Sequence, residues 1–235
     1  MSLKAMTTRF DMAKALVEKA KRQRNEIGDH GDPYEEALLT GVVSIELKII
    51  VKEIFDHLRS ALDYCAREIC HQCSNGISPK VVYFPIVSKD FQRSDFKSRV
   101  GKLMPGVLDS RPDLLTILES FQPFASVDNN WIADFATLCN ENKHEQLSVT
   151  QCTSGTGVVS KTDDGIFRVS NFKGDGVTPF TRSPLMLLQN FPLDGSGEYT
   201  FTYISFTAID EELLWFLDRS ISGIEHIINA LKSKL

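Results

Sequence analysis

The sequence predicts an α+β fold: a helical bundle, an antiparallel β-meander between the bundle helices, and a C-terminal helix that closes the structure. Three observations carry this. From Tyr34 to about Cys73 there is no proline and a single glycine, Gly41. Over that stretch apolar residues recur at Val51, Ile54, Leu58, Ala61, Cys65 and Ile69, with Phe55, Leu62 and Ala66 widening the stripe, which is helical periodicity sustained over many turns. From Ser148 to Ile209 the period drops to two, β-branched residues gather, and turn residues punctuate the chain. From about Asp210 the helical period returns at Leu213, Leu217, Ile221, Ile224, Ile228 and Leu231. An apolar stripe of this length must be buried against other helices, which implies a bundle. With no internal repeat and no long linker, residues 1–235 are expected to form one domain, with a helical part at 8–146, a β-meander at 147–209 and a closing helix at 210–235.

The elements follow in order. Phe10 to Ile27 reads as a basic helix, stopped by the turn formers Gly28-Asp29-His30-Gly31-Asp32-Pro33. The long helix described above ends at Ser74-Asn75-Gly76-Ile77-Ser78-Pro79, and Val81–Val87 is a short extended stretch. Residues 89–102 form a second basic helix. Pro112 to Phe121 makes another, with Pro112 suited to its first turn. Trp131, Phe135 and Leu138 carry a further helix to about His144. Val158–Thr162 and Ile166–Ser170 flank Asp163-Asp164-Gly165, a hairpin signal, and Leu185–Phe191 and Tyr199–Ile209 flank a longer one. Tyr199, Phe201 and Tyr203 place aromatics on one strand face, and Asp210 is the expected N-cap of the closing helix.

Composition narrows the classes. A chain of 235 residues that is 42% hydrophobic and 24% charged can bury a sizeable core, which excludes global disorder. Its longest apolar runs are far short of the roughly 18 residues a membrane span needs. Residues 1–24 carry charge every few positions and lack a signal-peptide h-region, so a cytoplasmic location and no membrane partner are expected. Met1-Ser2-Leu3 reads as a vector remnant, with a natural start expected at Met6.

The net charge of −5 hides strong segregation. Residues 1–24 hold seven basic against two acidic side chains, and residues 80–102 six against two, whereas residues 25–79 hold four against ten. An anionic partner could therefore touch Lys14–Arg24 or Lys89–Lys102, with Arg59 as the well-motivated basic group on the acidic helix.

Five cysteines in a reducing compartment argue against a disulfide framework. Cys70 and Cys73 make a CxxC, but no second ligand pair follows, so they read as small residues at a helix end and no metal or cofactor is expected. P-loop, GxGxxG, HExxH and GxSxG patterns are all missing. Two stretches remain. Arg59 lies within one turn of Asp56 and Asp63, either as a structural ion-pair row or as a phosphate-binding guanidinium facing a cleft. Asn140-Glu141-Asn142-Lys143-His144 places Asn140 and His144 on one helix face, either as a polar helix end or as donors to an anion.

Leu58-Arg59-Ser60-Ala61-Leu62-Asp63-Tyr64, Phe84-Pro85-Ile86, Phe121-Gln122-Pro123-Phe124 and Asn142-Lys143-His144 resemble, in that order, the LRSALDH-like, FPI, QPY and NxxKH-like elements of a widespread set of bacterial proteins of unknown function. The resemblance runs from about residue 45 to 146. Arg59-Ser60 also resembles the HEPN superfamily, a helical nucleotide-binding and ribonuclease fold whose active members carry Arg, a polar residue, a few others and then His on one helix. Here Tyr64 holds the histidine position, and a phenol with a reference pKa of about 10 is a poor proton shuttle at neutral pH. Arg59 and Tyr64 also point about 140° apart on an ideal helix.

The resemblance implies a nucleotide- or RNA-binding, catalytically degenerate protein of a defence or toxin–antitoxin setting, with a homodimer as a further expected partner. If it were an enzyme, it would be a metal-independent ribonuclease. The candidate catalytic residues are Arg59, Tyr64 and His144, with His57 as a substitute histidine, and the candidate ligand-binding residues are Arg59, Asn142, Lys143 and His144, expected to converge on one pocket. The alternative is a small-ligand or protein-interaction module without catalysis, using the aromatic strand at Tyr199–Tyr203.

Overall fold

Arg9–Ile27 (α1) buries Phe10, Ala13, Val17 and Ala20 at helical spacing, and its buried face sets the pattern for the helical elements. The computed structural model describes residues 8–27, 33–73, 81–144, 150–161, 167–173, 176–178, 187–189 and 197–235, and the side chains of these apart from 143–202. The fold is α+β, mainly helical with an antiparallel sheet. The chain separates into two compact units, one made of Met1–Arg24, Val51–Gln146 and Asp218–Leu235, the other of Asn25–Ile50 and Leu147–Leu217.

The first unit is helical. The long helix α3 (Ile45–Cys73) follows α2 (Pro33–Thr40), and its stripe from Val51 to Ile69 is buried at every position the periodicity marks. The same unit holds α4 (Arg93–Leu103), the short α5 (Val107–Ser110), α6 (Pro112–Ser120), a 3-10 turn at Val127–Asn129, α7 (Asn130–His144) and, from Asp218 on, the closing helix α8 (Leu213–Lys232). Pro112 opens α6, where its missing N–H has no helical partner to lose. Phe55 of α3 meets Phe135 of α7 with ring centroids 5.6 Å apart.

Three of the six basic side chains of α1 pair with acids on other helices of this unit. Arg9 pairs with Glu68 of α3, while Lys21 and Arg24 pair with Glu225 and Asp218 of α8. Lys232 returns the contact to Asp11. Such pairs are individually weak, but they fix which faces meet.

The second unit holds the sheet, of strand order β3-β2-β1-β5-β4, with β6 also on β5. Its strands are β1 (Thr150–Lys161), β2 (Phe167–Lys173), β3 (Gly176–Thr178), β4 (Leu187–Gln189), β5 (Gly197–Phe206) and β6 (Glu211–Glu212). The hairpin pairs β1–β2 and β4–β5 form as the turn signals predict, all antiparallel. A sequential meander does not. The two longest strands pair with each other over ten positions, from Thr150 with Phe206 to Val159 with Gly197, because they offer the longest complementary edges. α2 lies against β5 in this unit.

Two boundaries differ from the sequence expectation, each for a local reason. The helical stretch from Tyr34 breaks at Gly41, which sits at φ 75° and donates to Ala37 O, a left-handed helix stop that favours glycine; Ser44 then accepts from Leu47 N and starts α3. Val81–Val87, expected as a short extended stretch, forms no helix and joins no strand ladder among the described residues. The closing helix is capped by Glu212, not Asp210. Residues 207–210 form a turn with Asp210 at φ 54°, and the backbone pairs once more at Ser205–Glu212 before α8 begins.

The Glu212 carboxylate accepts from Leu214 N at 3.0 Å and Trp215 N at 2.6 Å, and from the buried Tyr34 hydroxyl at 2.8 Å. Replacing Glu212 by alanine strands these donors and is expected to cost about 2 kcal/mol, and Tyr34→Phe about half as much. Hydrogen exchange at the Leu214 and Trp215 amides reads this directly: both accelerate in Glu212→Ala, and unchanged protection would refute the cap.

Candidate anion-binding cleft

The chain between α3 and α4 presents backbone polar groups without a strand partner, and side chains supply the missing bonds. Asp63 accepts from Phe84 N at 2.9 Å, and Arg59 donates Nη2 to Phe84 O at 3.2 Å. Arg59 and Asp63 sit one turn apart on α3 and pair at 3.3 Å, so together they act as a strand edge for one residue. Behind them the buried Gln122 accepts from Val87 N at 3.2 Å and donates to Pro85 O at 3.2 Å and Leu118 O at 3.1 Å. Residues of the LRSALD, FPI and QP stretches of this chain are thus joined in one hydrogen-bonded device that pins residues 84–87.

This device holds one wall of a cleft of about 310 Å³. Arg59 comes from α3, Tyr83, Phe84 and Ile86 from the pinned segment, Arg99 and Leu103 from α4, and Ala136, Cys139 and Asn140 from one face of α7. Phe84, Ile86 and Cys139 are buried and form the apolar floor, while Tyr83, Arg99 and Asn140 stand exposed at the rim. Arg59 is fixed by Asp63 and Phe84 through Nη2, which leaves further guanidinium donors facing the cleft. Arg99 has no carboxylate within ion-pair distance among the described residues, and no Asp or Glu is among the cleft-lining residues. Two guanidinium groups around a partly apolar hollow are suited to a phosphate or another oxyanion.

The predicted residues divide as follows. Arg59 lines the cleft, and Asn140 rather than Asn142 joins it. Asn142 is buried, two residues and about 200° further round α7. Tyr64 is half-buried and is not among the cleft-lining residues. The side chains of Lys143 and His144 lie outside the described residues. His57 is not among the cleft-lining residues. Burial, and next the Lys19 ammonium, push its pKa below the usual histidine value, although Glu53 and Asp56 oppose this.

Arg99 lies in the basic segment Lys89–Lys102 that the sequence offers to an anionic partner, but neither it nor Tyr83 is among the candidate site residues. The signal for Arg99 is its helical phase: Arg93 and Lys97, one turn apart, both reach Glu119, whereas Arg99 falls off that face.

Cys70 and Cys73 are buried at the end of α3. Burial, and secondarily Cys73, push the Cys70 thiol up to about 12, so it stays protonated at neutral pH and is a poor nucleophile or ligand. Among the described residues no cluster of His, Cys, Asp and Glu could hold a metal ion, and no helix is long and apolar enough to cross a membrane. Tyr203 of the aromatic strand is buried, and the side chains of Tyr199 and Phe201 lie outside the described residues. Comparison with protein-family models, curated proteins and solved structures returns no match in any of the three.

Proposed function

We propose that this chain is a nucleotide-binding protein built on a HEPN-like helical bundle, and that the cleft lined by Arg59 and Arg99 takes the nucleotide. One observation carries the reading: two arginines from different helices open into one cleft lined by no Asp or Glu among the described residues, beside the amide of Asn140 and the ring of Tyr83. The arginines suit a phosphate, the amide suits a sugar or base edge, and the ring suits a base face. The volume of about 310 Å³ is at the lower end for small-molecule sites and fits a mononucleotide better than a larger cofactor.

The same cleft argues for binding without cleavage. Arg59 is engaged in holding Phe84, and among the described residues neither a histidine nor a carboxylate lines the cleft to move a proton. Tyr64, at the position where active HEPN ribonucleases carry histidine, contributes only a phenol. The resemblance to the bacterial LRSALD–FPI–QP set supports the same reading, since its shared residues pin the cleft wall.

Isothermal titration of the full chain with AMP and ATP tests this. Binding is expected, competed by inorganic phosphate and weakened about tenfold by Arg99→Ala, a loss of about 1.4 kcal/mol. Absence of nucleotide and phosphate binding refutes the reading. Incubation with a mixed-sequence RNA tests the second part: the RNA stays intact, and cleavage that disappears in Arg59→Ala would overturn catalytic degeneracy.

A protein-interaction module is the second reading, favoured by the exposed apolar residues Leu39, Val42, Ile45 and Ile49 around the α2–α3 break. It replaces the first if the titration is blank.

A further inference from the structure

A second hollow, of about 370 Å³, lies along α4 and shares Arg99 and Leu103 with the first. Its wall on α4 is Asp95, Ser98, Arg99 and Lys102, the i, i+3, i+4, i+7 pattern of one helix face. Phe91 stands at its edge. The basic residues of α4 therefore separate into two sets. Arg93 and Lys97 are taken up by Glu119, and Arg93 also lies over the Phe124 ring. Arg99 and Lys102 have no carboxylate within ion-pair distance among the described residues. Asp95 is the acid of the second hollow, and its Oδ2 is occupied in accepting from Gln92 N at the start of α4.

Each hollow also carries one exposed aromatic side chain, Tyr83 at 44% and Phe91 at 37% exposure. Large aromatics are normally buried, and neither ring stacks on another aromatic among the described residues. The order along the surface is ring, shared arginine, ring. This is the repeat of a nucleic-acid strand read as base, phosphate, base.

We propose that a single strand of nucleic acid crosses both hollows over Arg99, with Tyr83 and Phe91 each stacking one base, Arg99 holding the phosphate between them, and Arg59 and Lys102 taking the phosphates on either side. The proposal deepens the nucleotide reading of the first cleft and rests on it. Three points favour a strand over two separate small ligands. A single guanidinium borders both hollows, so a phosphate held on it adjoins both. The rings are exposed at the rim, where a chain passing through can reach them. Among the described residues the second hollow pairs Arg99 with Lys102 but also carries the Asp95 carboxylate, which disfavours a separate small anion there. A duplex is disfavoured, because its base faces are stacked internally and unavailable to the rings.

Fluorescence anisotropy with the full chain tests the path. The probes are a labelled twelve-nucleotide oligouridylate, the matching oligothymidylate, a twelve-base-pair duplex, and UMP as competitor, with polyglutamate as a non-nucleic polyanion. The expected result is that a single strand of either sugar binds at least about tenfold tighter than UMP and tighter than the duplex. Its log affinity should fall with log salt at a slope of about −2, for three basic contacts to a single strand. Phe91→Ala should weaken strand binding about tenfold and Phe91→Trp restore it. Arg67→Ala, which removes an exposed charge elsewhere on α3, should change nothing.

The path is overturned if UMP binds but the oligonucleotides bind no tighter, if Phe91→Ala is silent, or if polyglutamate competes as well as the strand does. In these cases the nucleotide cleft itself stands. If neither UMP nor any strand binds, the cleft reading falls and the path falls with it.

Discussion

Replacing Gln122 by alanine is expected to lower the unfolding free energy by about 4 kcal/mol. The side chain is fully buried, and all three of its bonds go to backbone groups of other residues: Val87 N, Pro85 O and Leu118 O. Residues 85 and 87 belong to a stretch with no strand partner among the described residues, so no ladder replaces what is lost. Each stranded buried group costs about 1–3 kcal/mol, and the vacated volume adds a cavity term. Gln122→Met separates the two contributions, because it keeps length and volume but can neither accept from Val87 nor donate to the carbonyls. Methionine should recover the packing part and remain about 2–3 kcal/mol below the native protein. Urea unfolding of both variants decides it, and a methionine variant within about 1 kcal/mol of native would show that Gln122 acts by filling space. Loosening residues 84–87 also frees the wall that carries Tyr83 and positions Arg59, so nucleotide affinity should fall with stability.

That device marks the limit of what local sequence can tell. The stripes of α3 and α8 were legible because burial on one helix face follows directly from spacing, and every marked position is buried. The hairpins were legible because their turns and alternation are local. The partners of Arg59, Asp63 and Gln122 were not. Each binds backbone 21 to 37 residues away, and no spacing rule connects them. Arg59 was weighed as either an ion-pair residue or an anion-facing one. It is paired with Asp63 and it lines the cleft, because a guanidinium has donors enough for both.

Helix phase would have improved the α7 reading. Ile132, Phe135, Leu138 and Cys139 define its buried stripe, and Asn142 continues that stripe at i+3 and i+4, whereas Asn140 falls beside it. Asn140 was therefore the residue to place in an open cleft. The α8 cap escaped for the opposite reason. Aspartate is the better N-cap by preference, and only the extra bridge of Glu212 with Ser205 postpones the helix to Leu213.

Gly223→Ala should destabilise the protein by about 3 kcal/mol, although the same change in an open helix would stabilise it by about 1 kcal/mol. Gly223 lies within α8, and the place of an added Cβ is already taken by the Trp131 ring at the start of α7: Cη2 would be 2.5 Å and Cε2 3.0 Å away, with Cζ2 also inside contact distance. A rigid indole cannot swing aside as a long aliphatic chain can, so either the ring leaves its rotamer or α7 and α8 separate. The neighbours Ile224, Ile227 and Ile228 are buried, so separation would open the core beside them. A double-mutant cycle with Trp131→Leu isolates the clash. The leucine substitution alone costs stability through lost contact, yet in the Gly223→Ala background it should cost little or even help, giving a coupling of about 2 kcal/mol. Additive effects would mean that ring and Cβ do not compete for the same space. The outcome bears on the cleft as well, because α7 carries Ala136, Cys139 and Asn140 on the face that lines it, and a shift at Trp131 propagates along a rigid helix to those residues.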